Sequence, residues 1–196
     1  DDVTVLMKLR EGVQFHDGTA FNAESLKYQM DWVKNEENRA WTRTWLEPLE
    51  SVEIVDEYTV KWHFKRPWGA FEGTMASVPG FMISKKALMA DSAINELKML
   101  NRLIVTAERK SEEAREDLEK AEGKGAMVVE RAREKLEAAE TYLVELQNRK
   151  EKAQKLADGA RPLDSHPVGT GQFMLEEASH GNYIQLKRNP NWWFGK

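Results

Sequence analysis

The chain has 196 residues, enough for one ordinary domain or two small ones, and 41% of them are apolar, enough to form a core. A net charge of −4 argues against a general nucleic-acid binder, which needs a basic surface to neutralise phosphates. The absence of cysteine excludes disulfides, thiolate metal sites and cysteine nucleophiles, and no apolar run approaches the roughly 20 residues of a membrane span.

Val3, Val5, Met7 and Leu9 alternate with Thr4, Leu6, Lys8 and Arg10, and this period of about two predicts a strand. A turn follows at Asp17-Gly18. Asn22 is placed to cap a helix of about a dozen residues, with Glu24 in the first turn where negative charge suits the helix dipole. Leu26, Met30 and Val33 share one face of that helix, with Tyr28 and Trp32 alongside. The run SVEIVDEYTVKWHFKRP predicts a hairpin, with Val52 and Ile54 alternating on one arm and Val60, Trp62 and Phe64 on the other, closed by Pro67. A short helix from Ala70 to Ala76 and a strand over GFMIS, residues 80–84, complete this region.

Residues 91–159 differ in kind. They contain no proline, and their glycines, Gly123 and Gly125, sit near the centre, with Gly159 at the far boundary. Apolar or small residues recur at alternating gaps of four and three from Ala93 to Ala121, and again from Val129 to Ala157, which is a coiled-coil seam. Folding the chain at Gly123-Lys124-Gly125 sets Leu118 opposite Ala132, Ala114 opposite Leu136 and Ala107 opposite Leu143, so large residues meet small ones. This predicts an antiparallel helical hairpin with arms of about 30 residues, roughly 45 Å long. Its mixed charges suit either a solvated spacer or a docking arm. An antiparallel pairing between two copies would satisfy the same seam. Strand patterns then return: Phe173 and Leu175 alternate, SHGN turns the chain, and Tyr183 to Leu186 runs back.

Catalytic and metal-binding patterns are weak. His16, His63, His166 and His180 have no shared metal-ligand spacing, and His63 should point outward between Trp62 and Phe64. The acid pairs Glu36-Glu37, Glu112-Glu113 and Glu176-Glu177 read as solvated, and VGTG lacks the lysine of a phosphate loop. Ser25, Ser51 and Ser84 stand in no nucleophile-elbow context. The expectation is a binding protein, not an enzyme, with no metal site and no cofactor.

The segments LREGVQFHDGTAFNAESLKY, VEIVDEYTVKWHF and PVGTGQFMLEEASHGNYIQLKRNPNWW, taken together and in order, resemble the family 5 extracellular solute-binding proteins, the peptide- and nickel-type binding subunits of ABC importers. The resemblance covers about residues 3–90 and 165–195. It departs at Gln172, where the family usually has proline, and at Asn22 and Ser25, where it has threonine and an acid. The larger departure is the hairpin, which stands where the family has only a short connection.

The resemblance implies part of a periplasmic-binding-protein lobe, a mixed sheet with flanking helices; with the long antiparallel two-helix coiled coil read from the seam, the expected fold class is α+β. The expected organisation is a discontinuous lobe, residues 1–90 and 160–196, with the hairpin at 91–159. Both ends of the chain read as cuts within a longer protein, periplasmic or extracellular and membrane-associated through its transporter. Its partners would be a peptide or similar small solute and an ABC permease. Tyr28, Trp32, Trp41 and Trp45 are the candidate ligand-binding residues, with core packing as the competing role for each. The alternative function is a scaffold or adaptor whose hairpin, residues 91–159, mediates self-association or docks a partner protein.

Overall fold

A computed structural model describes residues 3–194. The chain divides into two compact units, residues 1–88 with 162–196, and residues 89–161.

In the first unit, Asn22 and Ser25 form a reciprocal capping box that starts helix α1 (Ala23–Lys34): Ser25 N donates to Asn22 Oδ1 at 3.0 Å, and Asn22 N to Ser25 Oγ at 3.0 Å. Strands β1 (Thr4–Lys8), β2 (Leu49–Asp56) and β3 (Thr59–Phe64) form an antiparallel sheet in the order β1-β3-β2, with Val5 opposite Trp62 and Val52 opposite Trp62 from the other side. The strand period of two turns Val52, Val60, Trp62 and Phe64 to one face, where they join Leu26, Met30 and Val33 of α1 in a single core. His63 turns the other way, as its position requires, and pairs with Glu53 Oε2 at 2.9 Å. Ile54, though in phase with Val52, is 42% exposed because it lies near the end of its strand. Helix α2 (Phe71–Met75) sets Phe71 against Trp62, ring centroids 5.0 Å apart.

The strand expected over residues 80–84 does not form. Gly80 ends a 3₁₀ turn, Val78–Gly80, and the next residues give their backbone groups to a side chain. The buried amide of Gln29 donates to the Phe81 carbonyl at 2.8 Å and accepts from Ile83 N at 2.6 Å. A side chain thus takes the place of a neighbouring strand.

The chain re-enters the first unit through Val168–Gly171, where three segments meet. Ser84 N donates to the Val168 carbonyl, and His16 N to the Gly169 carbonyl. Gly169 N in turn donates to His16 Nδ1 at 3.3 Å, which leaves the ring proton on Nε2, facing the Gly171 carbonyl at 3.0 Å. Asn189 Nδ2 donates to that same carbonyl at 3.0 Å. Asp17 binds the Ser84 hydroxyl at 2.6 Å and the Thr19 hydroxyl at 2.6 Å. Strands β4 (Phe173–Ser179) and β5 (Tyr183–Arg188) form a separate two-stranded hairpin.

In the second unit, helices α3 (Lys85–Ala121) and α4 (Ala126–Ala157) fold back on each other through a turn in which Gly123 and Gly125 take positive φ. At 37 and 32 residues, they run about 55 and 48 Å. α3 begins eight residues before Ala93, the first seam position, because Ser84 caps it, its hydroxyl accepting from Ala87 N at 3.2 Å. Ile104 and Leu146 are buried together with Leu100, Ala107, Ala93 and Ala153. The cross-arm ion pairs Arg115–Glu140, Asp117–Lys135 and Glu96–Arg149 report the register expected from the seam.

Two outcomes test this account. A Cβ at Gly80 would lie 1.7 Å from the Met75 carbonyl oxygen, a backbone atom that cannot turn aside, so Gly80→Ala should lower the thermal midpoint sharply while Gly73→Ala, with open space at its Cβ, should not. Partial burial opposes the charge on Asp17, but hydrogen bonds from Ser84 and Thr19 and the attraction of Lys86 outweigh it and hold the carboxyl below its usual range. A carboxylate depressed in the folded state stabilises it above the unfolded value of about 3.9 and loses that contribution as pH falls through the folded value. Asp17→Asn should therefore lower stability at neutral pH, and the gap between variant and parent should close in acid below about pH 4, as read by denaturant unfolding across pH.

Candidate functional site

The segment between α1 and β2 carries an exposed pair of tryptophans. Two 3₁₀ turns, Glu36–Asn38 and Trp41–Leu46, are joined through Arg39, whose φ of 50° places a non-glycine residue in the left-handed region. Strained backbone of this kind costs of order 1–3 kcal/mol and is found where a loop must present particular side chains. The residues presented are Trp41 and Trp45, 67% and 44% exposed, packed edge-to-face with ring centroids 5.6 Å apart. Leu46, at the end of the same turn, is buried and anchors it to the core.

Grooves flank this turn. One, of about 520 Å³, lies between Trp45 and the small residues Gly69, Ala70, Gly73, Thr74 and Ser77. The other, of about 350 Å³, is lined by Lys34, Glu36, Arg43, Glu47 and Lys65, with the buried core leucines Leu46 and Leu49 beneath them. Its charges are mutually compensated: Arg43 binds Glu36 at 2.5 Å, and Glu47 binds Arg66 at 2.7 Å and Lys65 at 3.7 Å. Lys34 donates to the Glu50 carbonyl; partial burial and then the neighbouring Lys65 push its ammonium below the usual lysine range. The exposed Trp41–Trp45 pair beside charges of both signs suits a ligand with an aliphatic or aromatic part and ionised ends.

The other two candidate aromatics have different surroundings. Tyr28 is half-buried on α1, with the Lys85 ammonium 5.5 Å from its ring centroid, and burial raises its hydroxyl pKa against the pull of Lys85. Lys85 also binds Glu24 at 2.5 Å. Trp32 packs against the core from α1. The structure therefore brings Trp41 and Trp45 together on the surface and leaves Tyr28 and Trp32 in distinct positions on the helix. Sequence reasoning did not single out Arg39, Arg43 or Gln29; the charge run around residues 34–47 was the available signal for Arg43, and nothing local marks Gln29. Among the described residues, no three histidine, aspartate or glutamate side chains gather as a metal-holding group.

The profile of the bacterial extracellular solute-binding proteins, family 5 (Middle), matches residues 1–196. The chain belongs to this family. A glutathione-binding protein GsiB from Pectobacterium atrosepticum is 40% identical over 88 residues, which is 45% of this chain and 17% of that protein. The GsiB of Escherichia coli K12 is 36% identical over the same shares. Among solved structures, NikZ from Campylobacter jejuni in complex with Ni(L-His) superposes with a TM-score of 0.58 at 19% identity, over 100% of this chain and 26% of that one. A dipeptide-binding protein from Pseudoalteromonas sp. SM9913 in complex with Met-Leu gives 0.55 at 14%, over 100% and 30%. These likenesses establish the fold as part of a solute-binding-protein lobe, and the chain spans about a sixth to under a third of the lengths of these relatives. The relatives are solute-binding proteins, not enzymes.

The exposure of Trp41 separates surface from core among the family member's tryptophans. Trp41→Ala should cost about 1 kcal/mol or less, essentially the aromatic pair, whereas Trp62→Ala, at a fully buried position, should cost about 3–5 kcal/mol in denaturant unfolding.

Proposed function

We propose that the full-length protein is the substrate-binding subunit of an ABC importer, which captures a peptide or similar small solute outside the cytoplasmic membrane and delivers it to a membrane permease. The observation that carries the reading to this chain is the exposed Trp41–Trp45 pair between an apolar groove and a groove of paired charges. Relatives described as binding glutathione and a dipeptide support a solute with a short peptide backbone and charged ends. In this reading Trp41 and Trp45 contact the solute, Tyr28 and Trp32 flank it from α1, and the rest of the site comes from parts of the protein beyond this chain. In this reading the full-length protein works in the periplasm or outside the cell, associated with the membrane through its transporter.

The test is calorimetric titration of the full-length protein with glutathione and with the dipeptide Met-Leu. Removing a central aromatic anchor weakens binding by about tenfold or more, so Trp41→Ala and Trp45→Ala should each do so for whichever ligand binds. Unchanged affinity in folded variants would refute the contact.

A second reading concerns the hairpin. Val105, Val144 and Tyr142 are exposed on helices that have no need of them for their own seam, which supports an association role for residues 91–159.

A further inference from the structure

The cross-arm ion pairs divide the hairpin into two faces. Asp117–Lys135 and Glu96–Arg149 lie on one side of the seam, and Arg115–Glu140 on the other. In an antiparallel two-helix coil, the positions flanking the seam meet their counterparts across it, so these pairs fix which residues share a side. The first side carries Lys110, Lys120, Lys124, Arg131, Lys135 and Lys152, and four of these line one cleft of about 360 Å³ with Val128 near the tip. On this side Asp117 and Glu96 pair with Lys135 and Arg149, and Lys120 pairs with Glu116, so that Lys110, Lys124, Arg131 and Lys152 stand against Glu145 and against Glu113, which is itself paired with Arg109. The second side carries Glu108, Glu112, Glu119, Glu130, Glu137 and Glu151 against Lys98, Arg115 and Arg133, and both arginines are ion-paired there. One face is basic and the other acidic.

The two faces also match in height. Glu119 and Lys120, Glu130 and Arg131, and Glu151 and Lys152 are sequence neighbours that fall on opposite sides, so each cation stands level with a carboxylate on the far face. Apolar residues lie at matching heights as well. Val105 and Val144 are exposed at the middle of the acidic face, and on the basic face Tyr142 is exposed near Leu103, which is half-buried against the seam.

We propose that the hairpin's occupant is a second copy of the same hairpin, stacked in parallel with its acidic face on the basic face of the first. This rests on the association reading of residues 91–159 and names the partner and the geometry. Translation by one hairpin thickness brings Val105 and Val144 of one copy over Leu103 and Tyr142 of the next, and sets Glu119, Glu130 and Glu151 against Lys120, Arg131 and Lys152. The contact joins two different faces, so it does not close on itself: each added copy exposes a new acidic face at one end and a new basic face at the other, and the product is a row. Charge complementarity fixes the orientation, because like faces brought together repel.

The test is sedimentation velocity of the 196-residue chain with rising concentration, at low ionic strength and at roughly 1 M salt, where the Debye length falls to about 3 Å. Mass should rise with concentration at low salt and return to the monomer at high salt. A variant with Lys110→Glu, Arg131→Glu and Lys152→Glu, acidic on both faces, should stay monomeric. So should one with Glu108→Lys, Glu119→Lys and Glu137→Lys, basic on both faces; none of these six residues takes part in a cross-arm ion pair. An equal mixture of the two variants should associate again. Circular dichroism of each variant should show parental helix content; a variant that loses helix is replaced by Lys110→Gln with Lys152→Gln, which should weaken association by lowering charge alone. A chain that stays monomeric throughout, or a mixture that fails to associate, overturns the row. A monomeric chain that instead sediments with phosphatidylglycerol vesicles overturns it too, while leaving the hairpin an association device for a different surface.

Discussion

The carbonyl of Gly171 is the point on which the first unit closes. It faces His16 Nε2 and Asn189 Nδ2, each at 3.0 Å, so the turn near the start of the chain and the turn that ends β5 are tied to one backbone atom. The same passage takes Ser84 N at Val168 and His16 N at Gly169. Each such bond contributes only about 1 kcal/mol net, but a partly buried group that loses its partner costs more than that. Closing a loop of some 150 residues through a few hydrogen bonds looks unfavourable until the hairpin is considered. Ala93 and Ala157 lie in one buried cluster, so the second unit brings its own ends together by its own packing. The entropy of the long loop is thereby met largely within the second unit, which leaves the clamp only a short connection to close.

Residues 89–161 can therefore stand between the two parts of the first unit at little entropic cost. A flexible insertion of similar length would leave the VGTG passage searching for the His16 turn at greater entropic cost. A helical hairpin adds residues without separating the points where the chain leaves and returns. Its stability comes from a seam in which small residues on α3, Ala107 and Ala114, admit Leu143 and Leu136 of α4, so burial is achieved with two helices only.

The elements that were legible in the sequence are those set by local pattern. The Asn22 cap, the β2–β3 hairpin, the seam and its register, and the SHGN turn depend on residues close in sequence or on a simple period. The strand expected at residues 80–84 failed because its fate was decided at Gln29, more than fifty positions away, whose amide took the backbone groups that another strand would have used. The start of α3 was misplaced because Ser84 serves both as its cap and as a partner of Asp17, and only the first of those roles is local. The candidate aromatics were recognisable as a set but not separable. Trp41 and Trp62 are the same residue type in similar composition, and exposure is decided by which side of the sheet the chain returns to.

The charge pattern of the hairpin poses a sharper question than its fold. Intrahelical pairs such as Lys120–Glu116 and Lys155–Glu151, and cross-arm pairs such as Arg115–Glu140, account for the abundance of charge. They would be served equally well by acids and bases scattered over both sides. Seam packing is likewise indifferent to which side a carboxylate occupies, since the flanking residues point away from it. The segregation of cations onto the side of Lys120 and Arg131, and of carboxylates onto the side of Glu119 and Glu130, is therefore not required by the hairpin's own stability. An arm that served only as a solvated spacer would have no use for it, whereas a surface that must meet another surface in one orientation would.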